Sequence, residues 1–231
     1  MSLKQTIRQT IASGEQTGES PLLPTAAVIT AALLYATLPA KFISGSSGLV
    51  TFARVLVPLL SIGLIIPLAL TTRRRFVHSV TRRTAALIVI ALLSTANTIS
   101  IVLLVHLIVV GHKVNGHELI RAAIHIWCTN VIVFALWFWE LDGGGPLSRR
   151  LERAQYPDFL FPQTERPAYA PPDWQPLFLD YLYVSFTNAM AFSPTDTIPL
   201  TRWAKFLMLV QSAASLLLLA MVAARAVNIL Q

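Results

Sequence analysis

The chain has 231 residues, 55% of them hydrophobic and only 13% charged, with a net charge of +7 and a mean hydropathy of +0.62. A soluble domain carries about 25% charged residues, and half that fraction cannot cover a water-facing surface of this size. The composition excludes an ordinary soluble domain, and the basic balance reads as arginines that orient a membrane protein rather than as a nucleic-acid footprint.

Residues 1–20 read as a polar tail. Lys4 and Arg8 are followed by Glu15 and Glu19, and the first apolar run begins only near Leu22, unlike the apolar core of a cleavable signal. A bilayer core about 30 Å thick takes about 20 apolar residues of helix. Five stretches meet that requirement: residues 22–40, 49–70, 84–110, 119–139 and 203–226. Pro58, Gly63 and Pro67 predict a kink in the second, tolerated where neighbouring helices satisfy the freed backbone groups. The expected fold is an all-α polytopic bundle, divided into the tail, a three-span part (21–117) and a C-terminal module (118–231).

Three connections are short. One of them carries Arg73, Arg74, Arg75, Arg82 and Arg83 with no acid, which places it and the N-terminus in the cytoplasm of a plasma-membrane protein. The connection after the fourth span is long. It opens on Gly143, Gly144, Gly145 and Pro146, read as a flexible exit, and continues through Pro157, Pro162, Pro167, Pro171, Pro172 and Pro176. Prolines at that density exclude a continuous helix. No internal repeat is present, which argues against an inverted-repeat transporter.

Residues 177–192 are apolar apart from Asp180 and slightly short for a span; residues 193–201 are polar and hold Pro194 and Pro199. A short apolar helix, a polar hairpin and then a full span is the pattern of a re-entrant loop. On these residues the chain resembles the pore module of two-span and six-span potassium channels. Tyr183, Ser185 and Phe186 match the pore helix, Asp196 the aspartate that closes the filter, Pro199 and Thr201 the turn, and residues 203–228 the inner helix. The resemblance covers residues 177–228, and reaches back to residue 119 if the fourth span is the outer helix. It implies a homo-oligomeric pore. The filter departs from the family: Phe192, Ser193, Pro194 and Thr195 stand where Val-Gly-Tyr-Gly is expected. Glycines allow the backbone angles that turn successive carbonyls toward an ion, whereas Pro194 fixes φ and removes an N–H. A potassium-selective carbonyl stack is not expected. Ser193, Thr195 and a ring of Asp196 carboxylates would line a less selective cation path. The whole looks most like bacterial multi-span proteins that end in such a degenerate pore loop.

The arginine count puts residues 141–176 in the cytoplasm, whereas pore loops of those channels enter from outside. Three resolutions are open: an inverted loop as in glutamate-receptor pores, a full crossing by residues 177–192 as a sixth helix, or failure of the arginine rule. The five unopposed arginines outweigh the degenerate motif, and the first two resolutions stay close.

Each candidate side chain has a structural alternative. Asp196 is either a pore carboxylate or a turn aspartate beside the inner helix. Thr187 and Asn188 either face a polar path or bond neighbouring helices. Asp180 suits the positive N-terminal end of the short helix. Arg121 and His125, one turn apart in the fourth span, form an intramembrane ionisable pair, although Arg121, like Arg54 and Arg225, can snorkel to the interface. Trp127, Trp137, Trp139 and Trp203 read as aromatic belts or packing. His106 with His125 as haem ligands, and His112 with His117 and Glu118 as metal ligands, are the weaker readings, so no cofactor or metal is assigned. Cys128 is the single cysteine and makes no intrachain disulfide. No nucleophile elbow, phosphate-binding loop or zinc motif is present, so no enzyme activity is assigned. Ser212, Ala213, Ala214, Ser215, Ala220, Ala223 and Ala224 let backbones approach closely, within the chain or between subunits.

Two functions follow as expectations. The first is a channel-like membrane protein passing small cations with poor selectivity through a homo-oligomeric pore. The second is a non-conducting scaffold or small-solute binder whose hairpin is a packing device.

Overall fold

The structure, a computed structural model, describes residues 22–39, 58, 80–110, 116–150, 156–172, 174–193 and 196–230. The polar tail and the second apolar stretch, 49–70, lie outside the described residues apart from Pro58, as do Arg73, Arg74 and Arg75. What is described is mostly helical: α1 (Leu22–Thr37), α2 (Val80–Val109), α3 (Gly116–Leu141), α4 (Pro146–Arg150), α5 (Pro162–Glu165), α6 (Phe178–Ala191) and α7 (Arg202–Leu230), with a short strand β1 (Phe159–Leu160) before α5 and β2 (Ile198–Pro199) before α7. Among the described residues three helices, α2, α3 and α7, are long and apolar enough to cross a membrane.

The helix bounds follow from local chemistry. Neither α2 nor α7 contains a proline or glycine, and each runs for about eight turns. Pro24 is accommodated in the first turn of α1, where its missing N–H has no intrahelical partner to lose, and α1 stops before Pro39. With 16 residues, α1 is about 24 Å long, short of a full hydrocarbon core. Arg82 and Arg83, expected in a loop, lie in the first turn of α2.

Side-chain contacts give the helix directions. Arg83 lies 4.0 Å from the buried Glu140 at the far end of α3. Trp137 donates to Ser94 (2.8 Å) and Asn97 to Asn130 (3.4 Å), so α2 and α3 are antiparallel. Tyr35 and Leu38 cluster with Leu104 and Leu119, and Val28 and Ala31 with Val89 and Leu136, so α1 runs with α2. Along α6, Tyr181 meets Asp142, Ser185 donates to the Val131 carbonyl, and Phe186 packs edge-on against Trp127. Along α7, Gln211 meets Ser185, Ser215 meets Asn130, and Leu218 joins the cluster of Leu119. Both α6 and α7 therefore run opposite to α3 and parallel to each other. They start at one end of the bundle, the end that holds Arg83, Glu140 and Arg149.

Helix α3 is the centre and packs against α1, α2, α6 and α7. A third cluster caps the arginine end: Phe138, Phe159, Phe161, Tyr181 and Met208, its rings in tilted and edge-on contacts of 5.1–6.3 Å. Beside it β1 and β2 pair antiparallel, Phe159 opposite Pro199 and Leu160 opposite Ile198.

The glycine run is not the flexible exit expected of it. Gly143, Gly144 and Gly145 adopt positive φ of 56°, 83° and 98°, and Gly143 and Gly145 are buried. The turn closes through the Gly145 N–H on the Asp142 carbonyl (2.9 Å). A Cβ on Gly145 would sit 2.9 Å from the Glu140 carbonyl, which cannot move, whereas one on Gly144 would meet the Ser148 hydroxyl, which can turn. Gly145→Ala should therefore cost about 3 kcal/mol and Gly144→Ala about 1 kcal/mol, measured by reversible unfolding in mixed micelles. Equal costs would mean that the carbonyl contact is immaterial.

Candidate functional site

The hairpin formed by α6, the chain after it and the start of α7 carries the residues singled out from sequence. Two carboxylates hold its root. Asp142, released from α3 by the glycine turn, accepts through Oδ1 from the Asp158 N–H (2.6 Å) and the Phe159 N–H (3.2 Å). Its Oδ2 accepts from the Tyr181 hydroxyl in α6 (2.5 Å). Asp158 accepts from the Gly143 N–H (3.1 Å) and the Thr201 hydroxyl (2.5 Å), and its carbonyl accepts from the Leu200 N–H (2.8 Å). Thr201 Oγ1 in turn accepts from the Ala204 N–H (3.3 Å), capping α7. Arg149 donates to the Trp139 and Asp142 carbonyls (2.9 and 2.6 Å), and its guanidinium lies 5.0 Å above the Tyr181 ring. The start of α6 is thus bonded to Asp142 at the end of α3 and the start of α7 to Asp158 before β1, and the two carboxylates are tied together through the Asp158 N–H.

Deeper in the bundle a chain of amides and hydroxyls joins the same helices. Gln211 Nε2 donates to the Ser185 hydroxyl (2.7 Å) and carbonyl (2.9 Å), and Asn188 Nδ2 donates to Gln211 Oε1 (2.8 Å) and the Met208 carbonyl (3.0 Å). Ser212 donates to Asn188 Oδ1 (3.1 Å). On the other side of α7, Asn130 donates to Ser215 (3.1 Å) and accepts from Asn97. Ser185, Asn188, Gln211, Ser215, Asn130 and Asn97 are all buried. Asn130, Asn188 and Gln211 each find both a donor and an acceptor, as buried polar groups require.

The sequence candidates fall in different places. Asn188 is in this interhelical network and bonds α7. Thr187 returns its hydroxyl to the Tyr183 and Val184 carbonyls of its own helix (2.9 and 3.0 Å). Phe192, Ser193 and Asp196 are exposed; Pro194 and Thr195 lie outside the described residues. Phe192 has φ 55° and ends α6, its N–H on the Asn188 carbonyl (3.1 Å), so an aromatic residue occupies a left-handed cap position that glycine usually fills. Asp180 accepts from the Leu177 N–H (2.7 Å) in the first turn of α6. Asp196 and Thr197 line one groove with Asp180, Tyr183 and Gln163. Arg121 is exposed, and His125, partly buried one turn on, has an Nδ1 with no hydrogen-bond partner among the described residues. Among those residues no three His, Cys, Asp or Glu side chains form a metal-sized cluster.

Asp142, Asp158, Tyr181 and Gln211 were not singled out from sequence. The available signal was polar residues inside apolar stretches and an aspartate directly before three glycines.

The acceptor for Tyr181 is a charged carboxylate, and the Asn188 bonds are amide bonds between neutral groups inside the bundle. Tyr181→Phe should therefore cost about 1.5–3 kcal/mol, and Asn188→Ala about 1 kcal/mol, near the average for interhelical bonds in membranes. Unfolding in mixed micelles measures both, and the reverse order would displace Asp142 from its central role. Comparison with known proteins finds no matching family model, no matching curated protein and no matching solved structure.

Proposed function

We propose that the chain is a channel-like membrane protein whose residues 178–201 form a re-entrant pore loop, assembled as a homo-oligomer and passing small cations with poor selectivity. The observation that carries this reading is that α6 and α7 run side by side in one direction from one end of the bundle. The chain between them comes back: Asp196 and Thr197 lie beside Asp180, and Ile198 and Pro199 pair with β1. A sixth crossing by α6 would leave α7 starting at the opposite end. With 14 residues, α6 is about 21 Å long, which supports entry without exit. Its C-terminal carbonyl end, inside the bundle's depth, favours a cation. The filter-like stretch keeps Ser193 and Asp196 exposed, consistent with hydroxyl and carboxylate ligands and with weak selectivity.

The end at which the loop enters also bears Arg83, Arg149, Arg202 and Lys205, which supports a cytoplasmic entry in the plasma membrane. The last described residue before the second apolar stretch, Pro39, follows α1 at the end opposite the start of α2, as one further crossing requires.

The non-conducting alternative has its own support. Ser185, Asn188 and Gln211 spend their hydrogen bonds within one protomer, as a packing hairpin would.

Purified protein in liposomes should pass sodium and potassium at rates within roughly tenfold of each other, as wide and carboxylate-lined paths do. Asp196→Asn should lower the flux roughly tenfold at low salt and less at high salt. Flux no greater than that of empty vesicles favours the packing hairpin. For orientation, in a Cys128→Ser background, a cysteine at His117 should react with an impermeant thiol reagent in intact cells and one at Ser148 should not. Labelling of Ser148→Cys from outside inverts the topology.

A further inference from the structure

The face of α6 turned away from the bundle carries Leu179, Tyr183, Phe186 and Met190, exposed by 62, 51, 47 and 52%. Along it runs a groove of about 510 Å³, bounded on one side by Phe161 and Gln163 and on the other by Asp196 and Thr197. Its polar lining is rich in acceptors. Asp180 and Asp196 contribute carboxylates, and the buried Gln163 Oε1 has no hydrogen-bond partner among the described residues.

A second face has the opposite character. Only 22% of the apolar stretch of α7 is buried within the protomer, against 44% for α2 and 61% for α3. Its first two turns expose Arg202, Trp203, Lys205 and Phe206, and neither cation is in an ion pair among the described residues. Ala213 and Ala220 continue the exposed side and permit close backbone approach.

From these two faces we infer that the outer face of α7 in one copy seats in the α6 groove of the next, with Arg202 and Lys205 against Asp180 and Gln163. The inference rests on the homo-oligomeric reading above and names its interface. Both faces lie at the arginine end of the bundle, hence at one depth in the membrane. A rotation about an axis along the bundle brings them together without a shift in depth. Such a heterologous contact closes into a ring where the rotation is a whole fraction of a turn. The opposite charges set register and partner choice more than affinity; the apolar side chains below them supply the packing. A phospholipid is the poorer occupant, since an acyl chain satisfies none of the acceptors and an anionic headgroup is repelled by both carboxylates.

The test uses full-length chains in a Cys128→Ser background, one carrying Asp180→Cys and the other Lys205→Cys, with tags of different size, co-expressed and oxidised in membranes. A disulfide dimer containing one chain of each kind is expected, and none from either chain expressed alone. Lys205→Asp or Asp180→Lys alone should lower the oligomer fraction in nanodiscs at least threefold, and chains carrying both exchanges should recover it, which separates loss of the contact from loss of folding. An oligomer without mixed cross-links, or cross-links between identical chains, overturns this interface and leaves the homo-oligomer standing. A monomer in nanodiscs overturns both. Recovery of the oligomer fraction in the double exchange without mixed cross-links counts against the interface as drawn.

Discussion

Two carboxylates that sequence separates by fifteen residues hold three chain segments in one place. Asp142 ends the central helix and Asp158 precedes the first strand, and between them they take bonds from Tyr181 at the start of α6 and Thr201 at the start of α7. Three backbone N–H groups point at the other oxygen of each carboxylate. A carboxylate accepting several N–H and O–H donors is a strong local tie, about twice a neutral bond each. The direction of α7 relative to α6 follows from it, and so does the return of the chain between them. The glycine turn exists to deliver Asp142 there: only a residue without a Cβ tolerates φ of 98° against the Glu140 carbonyl.

Away from this root the bundle faces the problem of any protein in lipid. Apolar side chains gain nothing by leaving lipid for one another, so helices are held by close packing and by hydrogen bonds that lipid cannot replace. The chain answers with a sparse set of amides and hydroxyls on α2, α3, α6 and α7 that bond one another across the helices. The short helix α6 is too brief to be anchored by length alone, and it carries two of these groups, Ser185 and Asn188. Its hold on α7 is polar along the inner face and aromatic at the root.

On the proposed channel reading this arrangement has two consequences. The groups buried inside the protomer are unavailable to an ion path, which leaves the exposed residues of the returning segment as the lining of any pore. The outer faces of α6 and α7 then do different jobs from their inner faces. The inner faces are matched to each other, whereas the outer ones carry complementary charge and large exposed apolar side chains.

Composition and apolar run length determined that this is a helical membrane protein, because lipid as solvent demands long uncharged stretches and helices that satisfy their own backbone. Run length also located three long helices to within a few residues, and proline spacing foretold the broken path between residues 157 and 176. The role of Gly143–Gly145, the partnership of Asp142 with Tyr181, and the balance of Asn188 with Gln211 were decided only in three dimensions. Each depends on groups far apart in sequence meeting at a set distance and angle, and a one-dimensional pattern records residue types without recording what lies across the bundle. The same holds for direction: hydropathy gives the length of a helix and not its neighbour, so whether α6 and α7 run together or opposed was settled by which side chains they bury against α3.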